Sequence, residues 1–244
     1  MTVSYMDFTS PSVQFTYDVN NNLFFKKDTQ NYINVLSIEQ LNTLGNTSLL
    51  DIFLSTGNVI EPHIHQNASE LVYCISGAAV VSIVNPFTKE LLNFSIQPGQ
   101  VANVPQGWWH YEIATMDNTH LLAIFDAPTP EFIGGSDLLR LTPASVLAHT
   151  YCLNEAKVKD TLAPITKTVF IGPPSDCKKD SVQGTSVANS PYSNQPYNNQ
   201  APVHPNRQQY DYQQQQQYEQ YQQHLQQQQT YIGNGWDYLN NQGY

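Results

Sequence analysis

Charge is the scarcest property of this chain. Asp, Glu, Lys and Arg make up 12% of its 244 residues, and the formal net charge is −10. Lys89 is the only Lys or Arg between Asp28 and Leu139. Contacts to phosphate need clustered Lys and Arg, so this balance argues against nucleic acid as a partner. Cysteine is scarce too. Cys74, Cys152 and Cys177 are too few and too scattered for a disulfide framework or a zinc knuckle. Cys74 lies in an apolar run and reads as a small buried hydrophobe. Residues 1–20 have neither a basic start nor a long apolar run, and no stretch approaches a membrane span. The expectation is a protein with no signal peptide and no membrane partner, made and retained in the cytoplasm, with deposition on a cell structure as the other destination.

Composition changes sharply near Pro173. Before it, apolar runs alternate with turn residues, as in a packed domain. After it, Gln, Asn, Tyr, Pro and Ser dominate, and beyond Asp180 only Arg207, Asp211, Glu219 and Asp237 are charged. Nine of the fifteen tyrosines and two glutamine runs, Gln213–Gln217 and Gln226–Gln229, fall there. Such a segment has too little apolar area to offset chain entropy. The chain therefore divides into an N-terminal extension (1–32), a folded domain (33–172) and a disordered, low-complexity tail rich in Gln, Asn and Tyr (173–244). Tyrosines recurring among amides, with few opposing charges, give the tail a capacity for self-association.

The folded part reads as all-β. Short apolar runs at 49–54, 71–75, 79–84, 91–96, 101–104, 109–113 and 121–125 are separated by turn signals such as Asn85-Pro86 and Pro98-Gly99. Many short strands at this spacing indicate a sandwich or barrel. The exception follows Thr142-Pro143, where a capping residue and a first-turn proline predict a short helix to about Tyr151.

Two stretches carry metal ligands. The first runs from Gly57 to Gly77 and contains His63, His65 and Glu70. The second runs from Gly99 to His110 through Pro105 and Gly107. On a strand, residues two apart share a face, so His63 and His65 point the same way. Glu70 follows after room for a turn, and His110 after the bend at Pro105 and Gly107. Three imidazoles and one carboxylate suit Mn, Fe, Ni, Co or Zn more than Ca or Mg. Four protein ligands around an octahedral ion leave about two positions open for a small molecule. His120 and His149 have no partner at useful spacing and read as structural. Trp108 and Trp109 read as packing residues. Tyr73 and Ile75 alternate with Cys74, so one of the two sets faces the barrel interior.

These two stretches resemble the paired motifs of the cupin superfamily, with Ala114 standing where the second motif usually ends in Asn. The resemblance implies a jelly-roll β-barrel with the metal inside, and Mn(II), ahead of Fe, Ni or Zn, held by His63, His65, Glu70 and His110. Residues 48–153 look most like one barrel of an oxalate decarboxylase or a germin, and a single barrel of germin type implies a homo-oligomer. Three features differ from oxalate decarboxylases. This chain has one barrel rather than two. Ile60 replaces an arginine that holds the oxalate carboxylate. The segment Pro130-Glu131-Phe132-Ile133-Gly134-Gly135-Ser136 is shorter than the lid that bears their catalytic glutamate, and it leaves Glu131 as the candidate acid or base.

Three functions follow as expectations. The first is a Mn-dependent enzyme of oxalate decarboxylase or oxidase type. The second is a metal-dependent dioxygenase acting on a neutral or aromatic substrate. The third is a structural protein, akin to relatives found in bacterial spore coats, with the tail supplying cohesion.

Overall fold

The structure, a computed structural model, describes residues 7–177. The reading of the tail beyond residue 177 lies outside them. Twelve strands and three helices follow one another in these residues. The strands are β1 (Leu23–Lys26), β2 (Tyr32–Leu36), β3 (Ser48–Leu54), β4 (Val59–Ile64), β5 (Glu70–Ser76), β6 (Ala79–Asn85), β7 (Glu90–Ile96), β8 (Val101–Val104), β9 (His110–Ala114), β10 (Thr119–Phe125), β11 (Ile133–Gly134) and β12 (Ile171–Gly172). The helices are α1 (Gly135–Leu141), α2 (Ala144–Tyr151) and α3 (Glu155–Leu162). Every apolar run singled out from the sequence coincides with a strand, apart from Trp109, which lies just before β9.

All strand pairs are antiparallel. One sheet has the order β1-β2-β3-β10-β5-β8, and the other β11-β4-β9-β6-β7, with β12 also pairing with β4. Strand β1 pairs with β2, so sheet pairing reaches back into the segment read as an N-terminal extension. The two sheets close on each other as a jelly roll. Period-two patterning decides which side faces in. On β5, Val72 and Cys74 are fully buried, while Leu71, Tyr73 and Ile75 face outward and are 36–42% exposed. It is therefore Cys74, not Tyr73 and Ile75, that belongs to the interior. On β10, Leu121, Ala123 and Phe125 point inward and join Ile52, Leu54, Val81 and Ile83 in one core.

The C-terminal part of the domain holds three helices where the sequence pattern indicated one. The helix after Pro143 is present, but Thr142 does not cap it. Its hydroxyl donates to the Leu138 carbonyl and closes α1 instead. Helix α3 begins at a real cap, the Asn154 side chain accepting from Lys157 N–H. Neither α2 nor α3 shows an apolar stripe in the sequence, because only Ala148 between them is buried.

Gly77 connects β5 to β6 at φ +70°, and a Cβ there would lie 2.5 Å from Thr119 Oγ1 and 2.6 Å from Thr119 Cα. Gly99 has a similar φ of +84° but open space around it. Gly77→Ala should therefore lower the unfolding free energy by more than about 2 kcal/mol, against about 1 kcal/mol for Gly99→Ala. Urea unfolding of the two variants measures the difference, which isolates the close approach of Thr119.

Candidate metal centre

The barrel brings the four sequence-predicted ligands together. His63 lies on β4 opposite His110, the first residue of β9. His65 follows the end of β4. Glu70 opens β5 in the facing sheet, so the cluster bridges the two sheets across the interior. All four are at most 3% exposed. Their donor atoms lie within 4.8 Å of one another.

Each imidazole is fixed by a backbone carbonyl. His63 Nδ1 donates to Glu61 O at 2.6 Å, His65 Nδ1 to Glu131 O at 2.7 Å and His110 Nδ1 to Trp108 O at 2.8 Å. A carbonyl oxygen can only accept, so each Nδ1 carries the proton and each neutral ring turns a bare Nε2 inward. His63 Nε2 and His65 Nε2 are 3.1 Å apart, and His110 Nε2 is 2.7 Å from Glu70 Oε2. The interior thus has four electron-pair donors facing one another. Only a cation, or protons in its place, makes that arrangement favourable. Ion–donor bonds of about 2.0–2.2 Å put neighbouring ligands roughly 3 Å apart, which is the spacing of His63 and His65. The donor set fits a divalent metal.

Burial and the neighbouring His110 and His65 hold the His63 imidazole well below its ordinary range. Burial works against ionisation of Glu70, but where protons occupy the site in place of a cation, hydrogen bonds from Nε2–H of His110 and His65 outweigh it and keep the carboxyl below its usual value. Both shifts favour the ligating forms, neutral imidazole and carboxylate.

A cavity of about 170 Å³ opens onto His63, His65 and Glu70. Phe24, Ile33, Val35, Leu50, Ile52, Ile60, Phe132 and Phe170 form its walls, Ser37, Glu39 and Gln40 add polar groups, and among the described residues no Lys or Arg lines it. Ile60, at the place of the decarboxylase arginine, is a buried wall residue. Glu131 does not line the cavity. Its carboxylate is exposed and accepts from Gln66 Nε2 at 3.0 Å, while its carbonyl steadies His65. The neighbouring Phe132 does face the centre, its ring stacked on His63 with centroids 4.7 Å apart. Asn67 ties this segment down by donating to Thr129 O and accepting from Glu131 N–H.

Among the remaining histidines, His149 is exposed. His120 has a partner the sequence did not show: its Nε2 lies 2.5 Å from Asp51 Oδ1 on the outer face of the first sheet. Neither Trp108 nor Trp109 lines the cavity, in keeping with a packing role.

Two acidic residues escaped sequence reasoning. Glu61, 6% exposed, accepts from Ser136 N–H and Oγ–H and from the N–H groups of Val169 and Phe170. It fastens α1 and the approach to β12 against β4, two residues before His63. No local signal indicates which distant N–H groups would meet it. Glu112, two residues after His110, points into the barrel, and burial together with the Glu70 charge pushes its carboxyl well above the usual range. The alternation His110-Tyr111-Glu112 was the available signal.

The family profile described as Cupin matches residues 25–159. The chain belongs to the cupin family. This cupin is 31% identical over 123 residues to germin-like protein 1-2 of Oryza sativa subsp. japonica, covering 48% of the chain and 54% of that protein. It is 29% identical over 173 residues to nectarin-1 of Nicotiana plumbaginifolia, covering 66% of the chain and 72% of that protein. Among solved structures it superposes on oxalate decarboxylase from Bacillus subtilis with a TM-score of 0.59 at 19% identity, covering 72% of the chain and 46% of the other. Procruciferin, an 11S globulin from Brassica napus, gives a TM-score of 0.62 at 19% identity, covering 71% and 46%. The cupin thus spans about half the length of several proteins it matches, and the likeness to the solved structures is one of fold.

His110→Ala should reduce bound metal per chain at least tenfold after reconstitution, measured by elemental analysis; unchanged stoichiometry would show that the cluster is not the binding site. A second expectation concerns pH. Because His63 resists protonation in the fold, the unfolded chain binds more protons as pH falls below the ordinary imidazole value of 6.5. Stability contributed by keeping His63 neutral is present above that value and lost on acidification. In chelator-treated protein, the stability difference between wild type and His63→Gln should therefore shift against the wild type between pH 7.5 and 5.5 in urea titrations.

Proposed function

We propose that this cupin is a metal-dependent enzyme acting on a small neutral molecule with an apolar or aromatic body, of the dioxygenase class. The cavity carries this reading. It reaches three of the four ligands, its walls are aliphatic and phenyl groups, and the charged side chains lining it besides the histidines are Glu39 and Glu70. An oxalate dianion in such a low-dielectric space needs more than one countercharge, and Ile60 supplies none. A neutral ring, in contrast, gains from the phenyl walls at Phe24, Phe132 and Phe170.

His63, His65, Glu70 and His110 would hold the ion, Mn(II) first and Fe, Ni or Zn as alternatives. When bound, such an ion supplies Lewis-acid activation at its open positions. The chain's own residues provide the rest. The Glu61, Glu131 and Trp108 carbonyls keep the rings aimed, and Phe132 shields His63 from water. The cavity walls orient an apolar substrate toward the cluster. Self-association fits the outward Leu71, Tyr73 and Ile75 on β5, which with Val101 on β8 leave an apolar strip exposed.

The deciding experiment supplies purified protein loaded with Mn(II) or Fe(II), in the presence of dioxygen, with neutral phenols and separately with oxalate at mildly acidic pH. Dioxygen uptake with phenols and none with oxalate is the expected result. Formate and carbon dioxide from oxalate, or hydrogen peroxide, would replace this reading with a decarboxylase or oxidase. No turnover of either substrate by metal-loaded protein would transfer the case to the structural role.

A further inference from the structure

Glu112 is the one acidic side chain in the barrel whose presence nothing so far explains. It lies two residues beyond His110 on β9, so strand alternation turns both side chains inward. It is 1% exposed, and neither Oε1 nor Oε2 has a hydrogen-bond partner. Its cross-strand neighbours, Ile60 on β4 and Val81 on β6, are buried and apolar and offer no donor. The contrast with Glu61, whose carboxylate accepts four hydrogen bonds, shows that this fold satisfies a buried acid where it keeps one for structure. Burying a carboxyl group with no partner is unfavourable, and such groups are rare enough to call for an ion or a role. A polar group of the cluster already described lies close to it: Oε1 is 3.9 Å from His110 Nε2.

We propose that Glu112 is a fifth protein residue of the metal centre, bringing a second carboxylate oxygen to the ion beside Glu70. The proposal rests on the reading of His63, His65, Glu70 and His110 as ligands. Glu112 stands outside the set of donors that lie within 4.8 Å of one another, but its Oε1 is 3.9 Å from His110 Nε2, inside the roughly 4.4 Å that can separate two donors bound to one ion at about 2.0–2.2 Å, so it would join the ion by turning its carboxylate inward from there. Glu112 does not line the cavity. It approaches the cluster from the barrel interior and leaves the cavity side open for a small molecule. Three imidazoles and two carboxylates also make a set for an ion of five or six ligands. This favours Mn(II) or Fe(II) over Zn(II), which closes with four.

Full-length protein stripped with chelator and titrated with Mn(II) by calorimetry tests this, alongside Glu112→Leu and the isosteric Glu112→Gln. The expected result is one Mn(II) per wild-type chain, affinity at least tenfold weaker in both variants, and an altered Mn(II) paramagnetic resonance spectrum. Without metal, Glu112→Leu should melt higher than wild type, because the unpartnered carboxyl is gone, yet gain less on adding Mn(II). Wild-type affinity and an unchanged spectrum in the variants would overturn the proposal and leave the four-ligand centre standing. Wild-type protein that takes up no metal would instead overturn the four-ligand reading itself. If the leucine variant does not fold, the glutamine variant decides the question alone.

Discussion

The structure depends on holding mutually repelling electron-pair donors together inside an apolar barrel. His63, His65 and His110 present bare Nε2 atoms to one another and to Glu70, with separations of 2.7 Å and 3.1 Å at the closest pairs. That arrangement has no place in an ordinary hydrophobic core. It persists because both sheets fix the backbone and because each Nδ1 proton is committed to a carbonyl of a different segment. A bound cation turns the repulsion into coordination, so the binding free energy of the ion adds to the stability of the fold.

The carbonyls that orient the rings tie the centre to its surroundings. Trp108 lies in the turn leading to β9, Glu61 on β4 and Glu131 in the segment over the cavity. The same Glu61 fastens α1 and the approach to β12 through its side chain, so both are coupled to His63 across two residues of main chain. His65 is coupled in the same way to the segment 129–132, which Asn67 pins and whose Phe132 covers the rings. Distortion of either segment would misdirect an imidazole before it altered the core. This is the usual division of labour around metal sites, where outer groups set ligand orientation.

Much of this was legible in the sequence. Alternating runs placed the strands, because a residue's side of a sheet follows directly from its parity. The four residues of the candidate centre were legible because their spacing, with glycines at the turns, has few other uses. What escaped was long-range. Glu61 satisfies N–H groups more than seventy residues away, and a carboxylate in a strand carries no mark of such partners. Glu131 was singled out for its side chain, yet the atom that reaches the centre is its carbonyl, which any residue would supply. Thr142 was read as a cap of the helix ahead and closes the helix behind, since a hydroxyl beside a helix end can serve either. Helix α3 gave no apolar pattern to read because it buries no residue.

Scarcity of cations finally bears on what the cavity admits. Apart from the histidines, the charged groups lining it are the carboxylates of Glu39 and Glu70. A divalent ion would be the one strong positive charge there, and Glu70 already offsets half of it. An incoming dianion would face the Glu39 carboxylate and the half-neutralised ion across a medium of low dielectric, where repulsion is felt strongly. A neutral molecule meets no such barrier and trades ordered water for phenyl and aliphatic contacts. The scarcity of cations that argues against a nucleic-acid partner thus bears, on the proposed reading, on the barrel interior too, where charge would select before shape is tested.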